Sequence, residues 1–342
     1  MSGKLTLEKI GELAGVSRAT VSRVINNHPN IREEVRQRVL AVIATTGYQP
    51  NQAARSLASN RTGLLGLVVP RVMQTLFTDL YYPRLLEGVS QACNESNYTL
   101  TLFIFHTEAE EQQLAAQIMR QGFLDGVIIA GLHLDGSLNQ LLHSGKPVLV
   151  IGEPLDYPQA SFVDVDNRAG AYTAVSHLIS LGHRRIATIT GRLDMAAGQQ
   201  RRQGYLDALQ EYNLPIDEAL IVAGDFEQEK AYRATLDMLP QNPDAIFVAS
   251  DSMALSTLQA LADAGLQVPE DVAVVGFDDL TLADTAVPFI LPPLTTIRQP
   301  IRRMGVLTVE TLLDIIKHPQ APPRRVILPT ELIVRQSCGA AQ

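Results

Sequence analysis

The spacing of apolar positions divides the chain into two regions. From Leu64 onward, short runs of aliphatic and β-branched residues alternate with amphipathic stretches of helical length, the pattern of parallel α/β structure. The runs are LLGLVV from Leu64, TLTLFIF from Thr99, DGVIIA from Asp125, PVLVI from Pro147, RIATIT from Arg185, LIVAG from Leu220, DAIFVAS from Asp244 and VAVVGF from Val272. Their apolarity is nearly continuous, which reads as central strands covered on both faces. Helices are predicted between them over 83–96, 108–121, 168–181, 199–211, 227–239, 252–264 and 301–316.

One core does not accommodate all of these elements. A break is placed at 158–166, where four strands are complete and a new αβ series begins, so two similar lobes are the simplest arrangement. The segment 288–300 is rich in proline, each of which fixes its own φ and disfavours helix at the residue before it. It reads as an extended return crossing into a late helix that joins the first lobe, and the stretch 325–334 then crosses back. Lobe 1 is therefore expected at about 64–163 plus 299–324, and lobe 2 at about 164–298 plus 325–342.

The first 50 residues show no strand-like alternation and read as helix, sharp turn, helix, and a third helix over 33–46. Ile10, Val16, Val21 and Val24 can seal the angle between the first two helices, with Gly11 at their close approach and Gly15 in the turn. Ser17 is placed to cap the second helix. With Val21, Val24 and Ile25 facing inward, helical periodicity puts Arg18, Ala19, Ser22 and Arg23 on the outward face, where a recognition helix reads the major groove. The bland alternative is a helical hairpin with solvated arginines. After Pro50, the segment 51–63 holds a short helix too small to persist alone in water, with Leu57 on it and no evident core, then a polar linker.

Charge sharpens this division. Residues 1–61 hold nine Lys/Arg against four Asp/Glu, a balance of +5, whereas the remaining 281 residues hold 19 against 32, a balance of −13. A basic head of this kind suits phosphate contact, although unevenness in a short window would look the same. The 342 residues include two cysteines, Cys93 and Cys338, in no metal-ligand spacing, so no disulfide framework, zinc finger or other metal site is expected. The amino terminus lacks the apolar centre of a signal peptide, and a cytoplasmic location is expected.

In open parallel sheets, ligands collect outside the carboxyl ends of strands. The residues there include Arg71, Glu153, Arg192, Ser250, Asp251, Asp278 and Asp279, with Arg201 at the start of a later helix and Phe226 after LIVAG. Carboxylates and guanidiniums that can make bidentate hydrogen bonds, together with an aromatic face, suit a hydroxyl-rich ligand such as a sugar. Each has a plainer reading. Asp251 could equally cap the helix beginning at Ser252, Asp278 and Asp279 could only organise a turn, and Phe226 could be ordinary core. The histidines form no HExxH set, and no GxSxG elbow, P-loop or GxGxxG follows a strand, so neither an enzyme nor a cofactor is expected.

TVSRVIN and YQPNQAARSLA in the head, with LGHRRIATITG, FVASDSMAL, VPEDVAVVGFDD and PPLTTIRQP in the body, resemble the lac repressor (LacI/GalR) family of bacterial transcription regulators over essentially the whole chain. The resemblance implies an all-α helix-turn-helix head on an α/β, two-lobed periplasmic-binding-protein-like core with parallel sheets. It implies a repressor that binds pseudo-palindromic double-stranded operator DNA as a homodimer; the longest apolar runs, such as Leu64 to Val69, are too short to span a bilayer, so no membrane partner is expected. Ser17, Arg18, Ala19, Ser22, Arg23, Asn26 and Ala54 are its DNA-contact positions, and Leu57 its minor-groove wedge. Arg201, Phe226 and Asp278 match effector-binding positions, with Asp251, Arg71 and Glu153 beside them. Gly11 departs from the family's usual alanine, and Gly152 from an acid found in one sugar-binding relative. A nucleobase, a nucleoside or a partner protein is the competing effector to a sugar.

Overall fold

The computed structural model describes residues 5–25, 28–48, 61–69, 81–105, 107–120, 124–130, 139–280 and 292–340. They fall into two compact units, Met1–Gly63 and Leu64–Gln342.

The first unit contains α1 (Leu7–Ala14), α2 (Arg18–Ile25) and α3 (Glu33–Thr46). Thr6 caps α1 by accepting from the Lys9 amide, and Gly15 ends it in the left-handed conformation, φ 63°. Its core is Ile10, Ala14, Val21, Val24, Val39 and Tyr48, against which Val16 and Ile25 pack. The short segment expected after Pro50 lies outside the described residues.

The second unit holds two six-stranded sheets. In the first, strands β1 (Leu64–Val69), β2 (Thr99–Ile104), β3 (Gly126–Ala130), β4 (Val148–Ile151), β5 (Ser161–Val165) and β11 (Arg325–Leu328) run in the order β11-β5-β4-β3-β1-β2. All of these pairs are parallel. The second sheet orders β12 (Glu331–Ile333), β10 (Thr295–Arg298), β9 (Ala273–Asp278), β8 (Ala245–Val248), β6 (Ile186–Thr190) and β7 (Ile221–Ala223), with only β12 antiparallel. The helices are α4 (Tyr81–Glu95), α5 (Glu108–Met119), α6 (Asn139–Leu142), α7 (Asn167–Ser180), α8 (Ala196–Glu211), α9 (Gln228–Met238), α10 (Asp251–Asp263) and α11 (Ile301–Lys317).

Strand residues of opposite parity feed separate cores, which accounts for their continuous apolarity. Leu65, Leu67, Ile128 and Leu149 meet α4 and α11, while Val68, Val127, Ile129 and Val148 meet α5 and α6. In the second lobe Phe247, Val275 and Phe277 pack under α7 and α8, while Ile246, Val248 and Val274 pack under α9 and α10.

Among the described residues the chain passes between the lobes three times, at Asp166, at Gln299–Pro300 and at Pro329–Thr330. This corrects two boundaries. The expected break at 158–166 is occupied by β5, whose SFVDV carries an aspartate in mid-run and so does not read as apolar. The expected lobe 2 segment from Arg325 begins instead with β11, which pairs parallel to β5 in the first sheet, so the crossing falls beyond Leu328. Of the extended stretch 288–300, the described part includes β10.

Candidate functional site

In the head, the second helix presents its start. Ser17 precedes α2 and caps it, accepting from the Thr20 amide at 3.2 Å. Arg18, Ala19 and Arg23 are exposed and Ser22 is half-buried, while Val21 and Val24 on the opposite side are buried. The Arg18 guanidinium lies 3.2 Å from Glu8 of α1, with both side chains largely exposed. Gly11 makes the close approach expected of it, since a β-carbon there would stand 2.7 Å from the Val16 carbonyl. Asn26, Ala54 and Leu57 lie outside the described residues.

In the body, the carboxyl ends of β6, β7, β8 and β9 converge on Arg201. This residue sits in the second turn of α8, because the helix starts at Ala196 rather than at Gln199. The tight fit of Gly198 against the Arg192 carbonyl permits that earlier start. Arg201 is 5% exposed, and its guanidinium carbon lies 3.7 Å from the Phe277 ring centroid and 5.8 Å from that of Phe226. Its Nε donates to Asn167 Oδ1 at 2.9 Å, and one terminal nitrogen donates to the Ala249 carbonyl at 2.5 Å and approaches Asp278 Oδ1 at 3.5 Å.

Asp278, the last residue of β9, and Asp279 after it have positive φ, 123° and 55°, a conformation non-glycine residues rarely hold. Asp278 Oδ1 accepts from Gln299 Nε2 at 2.5 Å. Asp279 turns the other way, to Arg335 at 2.5 Å and Arg298 at 2.7 Å. Burial opposes its ionisation, but the two guanidiniums outweigh that and hold its pKa below the ordinary range. Asp279 is therefore a turn organiser, and Asp278 is the carboxylate beside Arg201.

Phe226 also has positive φ, 60°, in a turn whose Gly224 and Asp225 amides donate to the Thr190 carbonyl. That turn lays the ring over Gly191, where a β-carbon would collide with it. The ring is half-buried, packed on one side against the core under α9 and α10. The half-buried Glu153, at the end of β4, receives 2.5 Å from Gln200 Nε2 and so links the first lobe to the turn of α8 that carries Arg201. Arg192 pairs with Asp194 within its own loop. Arg71 lies outside the described residues.

Asp251 neither caps its helix nor stands open. Ser250 is the cap, extended at φ −157° and accepting from the Met253 amide at 3.3 Å. Asp251 follows as the first helical residue and is 1% exposed. Its oxygens accept from the Thr296 hydroxyl at 2.7 Å and the Leu280 amide at 2.9 Å. Burial, then the charge of Asp278, raises its pKa well above the usual carboxylate value. It supports the end of β9 from beneath.

Four residues at the site were not singled out from sequence: Asn167, Gln200, Phe277 and Gln299. Gln200, Phe277 and Gln299 lie within motifs that were, QRRQ, GFDD and TIRQP, whereas Asn167 lies in none of them, and only the fold shows that the four converge. The arrangement offers a guanidinium, a carboxylate and an amide around one point with an aromatic face above it. Those groups can accept and donate to several hydroxyls and cover the apolar face of a ring. Among the described residues no group of three or more His, Cys, Asp or Glu could hold a metal ion, and no helix is long and apolar enough to cross a membrane.

Residues 6–51 match the family described as bacterial regulatory proteins, lacI family, and residues 175–338 match the periplasmic binding protein-like domain. The HTH-type transcriptional regulator CelR of Thermobifida fusca is 41% identical over 97% of this chain and 98% of its own length. A solved structure described as a transcriptional regulator CelR–cellobiose complex is 40% identical, covers 97% of this chain and 99% of that one, and superposes with a TM-score of 0.76. The lac repressor dimer bound to operator and the anti-inducer ONPF is 25% identical over 98% of this chain and 99% of that one, with a TM-score of 0.80.

Proposed function

The chain belongs to the lacI family of bacterial regulatory proteins and is a DNA-binding transcriptional regulator; we propose that it is a cytoplasmic repressor whose operator affinity is set by a sugar held between its two lobes. It works as a homodimer, so that two copies of α2 meet the half-sites of a pseudo-palindromic operator. Ser17, Arg18, Ala19, Ser22, Arg23 and Asn26 contact DNA from the head, and Ala54 and Leu57 do so from the following segment, with Leu57 wedged into the minor groove.

The observation that carries the effector reading is the convergence of Arg201, Asp278 and the half-buried Phe226 ring at the strand ends. A neutral polyol satisfies a guanidinium and a carboxylate together without bringing in a charge of its own. Glu153 adds a carboxylate from the first lobe, where its bond to Gln200 marks the place at which the two walls meet. Asp251, with both oxygens occupied inside the second lobe, serves the site indirectly.

The test is a thermal-shift screen of cellobiose, ribose and other sugars against nucleobases and nucleosides, followed by operator titration with each hit. The sugar reading expects a sugar hit that changes operator affinity. Stabilisation by a purine alone, or by none of the compounds while a pull-down recovers a protein, replaces it.

A further inference from the structure

Beneath the cleft a chain of polar groups runs from one lobe into the other. On the first-lobe side, the Glu153 amide at the end of β4 donates to Asp164 Oδ2 at 2.8 Å. Asp164 lies in β5 among Phe162, Val163 and Val165, and is 7% exposed. Past the crossing at Asp166, Asn167 opens α7 in the second lobe. Its amide nitrogen donates back to Asp164 Oδ1 at 3.1 Å and to the Val165 carbonyl at 3.2 Å, while its amide oxygen accepts from Arg201 Nε at 2.9 Å.

Residue type matters at each step. The middle position must accept from a guanidinium on one side and donate to a carboxylate on the other, which a side-chain amide does and a carboxylate does not. The carboxylate occupies a strand position that packing alone would fill with an apolar group, and its burial pushes its pKa up. The bonds from Glu153, Val165 and Asn167, and the charge of Arg201, counter only part of that burial.

We propose that Asp164 and Asn167 are positioning residues that tie the Arg201 guanidinium to the first interlobe crossing, so that ligand contact at Arg201 is transmitted to the end of β4. The proposal rests on the reading of Arg201 as an effector contact. Its distinct content is that the connection exists in the protein without ligand.

Amide exchange of Glu153 reads that connection directly. Asn167→Ala removes the middle of the chain, and Arg201→Lys keeps a cation while deleting the Nε–H that Asn167 accepts. Each should raise exchange at Glu153 about tenfold. Gly152, whose amide donates to the Val163 carbonyl within the sheet, should be unchanged. Arg202→Ala, beside Arg201 on the same helix, should change neither. Melting curves of the variants establish that they fold. Unaltered exchange at Glu153 in both variants, or an equal rise at Gly152, overturns the proposal.

A second arm uses cellobiose as the probe. Asn167→Ala should weaken cellobiose binding about tenfold in the wild-type background and leave it unchanged in an Arg201→Lys background, because it acts through Arg201. The same loss in both backgrounds would overturn the relay. Wild-type protein that binds no sugar would overturn the sugar reading alone, and exchange at Glu153 still decides the relay.

Discussion

At the residue scale, two ion pairs of different burial predict different consequences. Arg18 is exposed and meets Glu8 across the helix-turn-helix angle, a contact of small energetic weight in water, so the guanidinium is available to a base edge. Replacing Arg18 and Ala19 together should change the preferred operator at one position of each half-site and cost about 1–3 kcal/mol on the original sequence. Selection from a randomised operator library checks this, and an unchanged preference would remove both residues from base reading. Asp279 is the buried case, held by Arg298 and Arg335. Its folded pKa is depressed, so its stabilising contribution is present above the unfolded value and is lost as pH falls through the folded one. Asp279→Asn should cost about 2 kcal/mol at pH 7, below the loss for a fully buried pair because Arg298 is half in solvent. Unfolding measured from pH 7 downward should show the gap between variant and wild type begin to narrow only once the pH falls below the unfolded value of about 3.9. The family resemblance singled out Asp278, but the residues themselves did not distinguish the roles of Asp251, Asp278 and Asp279, because all three stand at strand ends. What separates them is the hydroxyl, amide or guanidinium each one meets, and those partners come from distant segments.

At the element scale, helices and strands were legible wherever burial imposes one simple period. The third helix of the head matches its expected span, 33–46, and the eight apolar runs all contain strands. β5 was missed because a functional-looking aspartate interrupts it, and α8 was started late because its first turn, Ala-Ala-Gly, carries no periodic signal. The close approach of the first two helices at Gly11 was legible, but helix contacts in the body were not, since the sequence there shows small residues without their partners. Gly88 of α4 and Gly305 of α11 face each other closely: a β-carbon on Gly88 would run into the Arg302 carbonyl, and one on Gly305 would stand 2.5 Å from that of Leu85. Gly88→Ala should therefore force the two helices apart and destabilise the first lobe by about 1–3 kcal/mol, despite alanine's better helix propensity. Chemical denaturation measures it, and an unchanged midpoint would mean that the pair has room to separate. The segment 51–63 yields a second prediction at this scale. Leu57→Ala should leave dimerisation intact while reducing operator affinity and bend angle together, because unstacking a base step needs the wedge. Gel mobility on permuted operator fragments tests both, and wild-type bending would end the wedge assignment.

At the scale of the whole molecule, the division of labour follows from the separate cores of head and body. The head closes on Ile10, Val21, Val24 and Val39, and the body on four separate clusters, so a change in the body need not unfold the head. Within the body, two of the crossings are tied to the site: Asp278 is bonded to Gln299 at the second, and Arg201 reaches the first through Asn167. A ligand can shift operator affinity only by as much as it discriminates between two arrangements of the lobes, commonly about 1–3 kcal/mol, or roughly 5- to 150-fold. If the sugar spans Arg201 and Asp278, removing the carboxylate deletes the contact that senses the crossing, whereas the head keeps its own structure. Asp278→Ala should therefore abolish the effect of cellobiose on operator affinity and preserve operator binding in its absence. Calorimetry with cellobiose followed by operator titration examines the two halves separately. Undiminished sugar affinity in both Asp278→Ala and Arg201→Ala would move the site away from these strand ends, and a lost response with intact sugar binding would place Asp278 in the switch rather than in the grip.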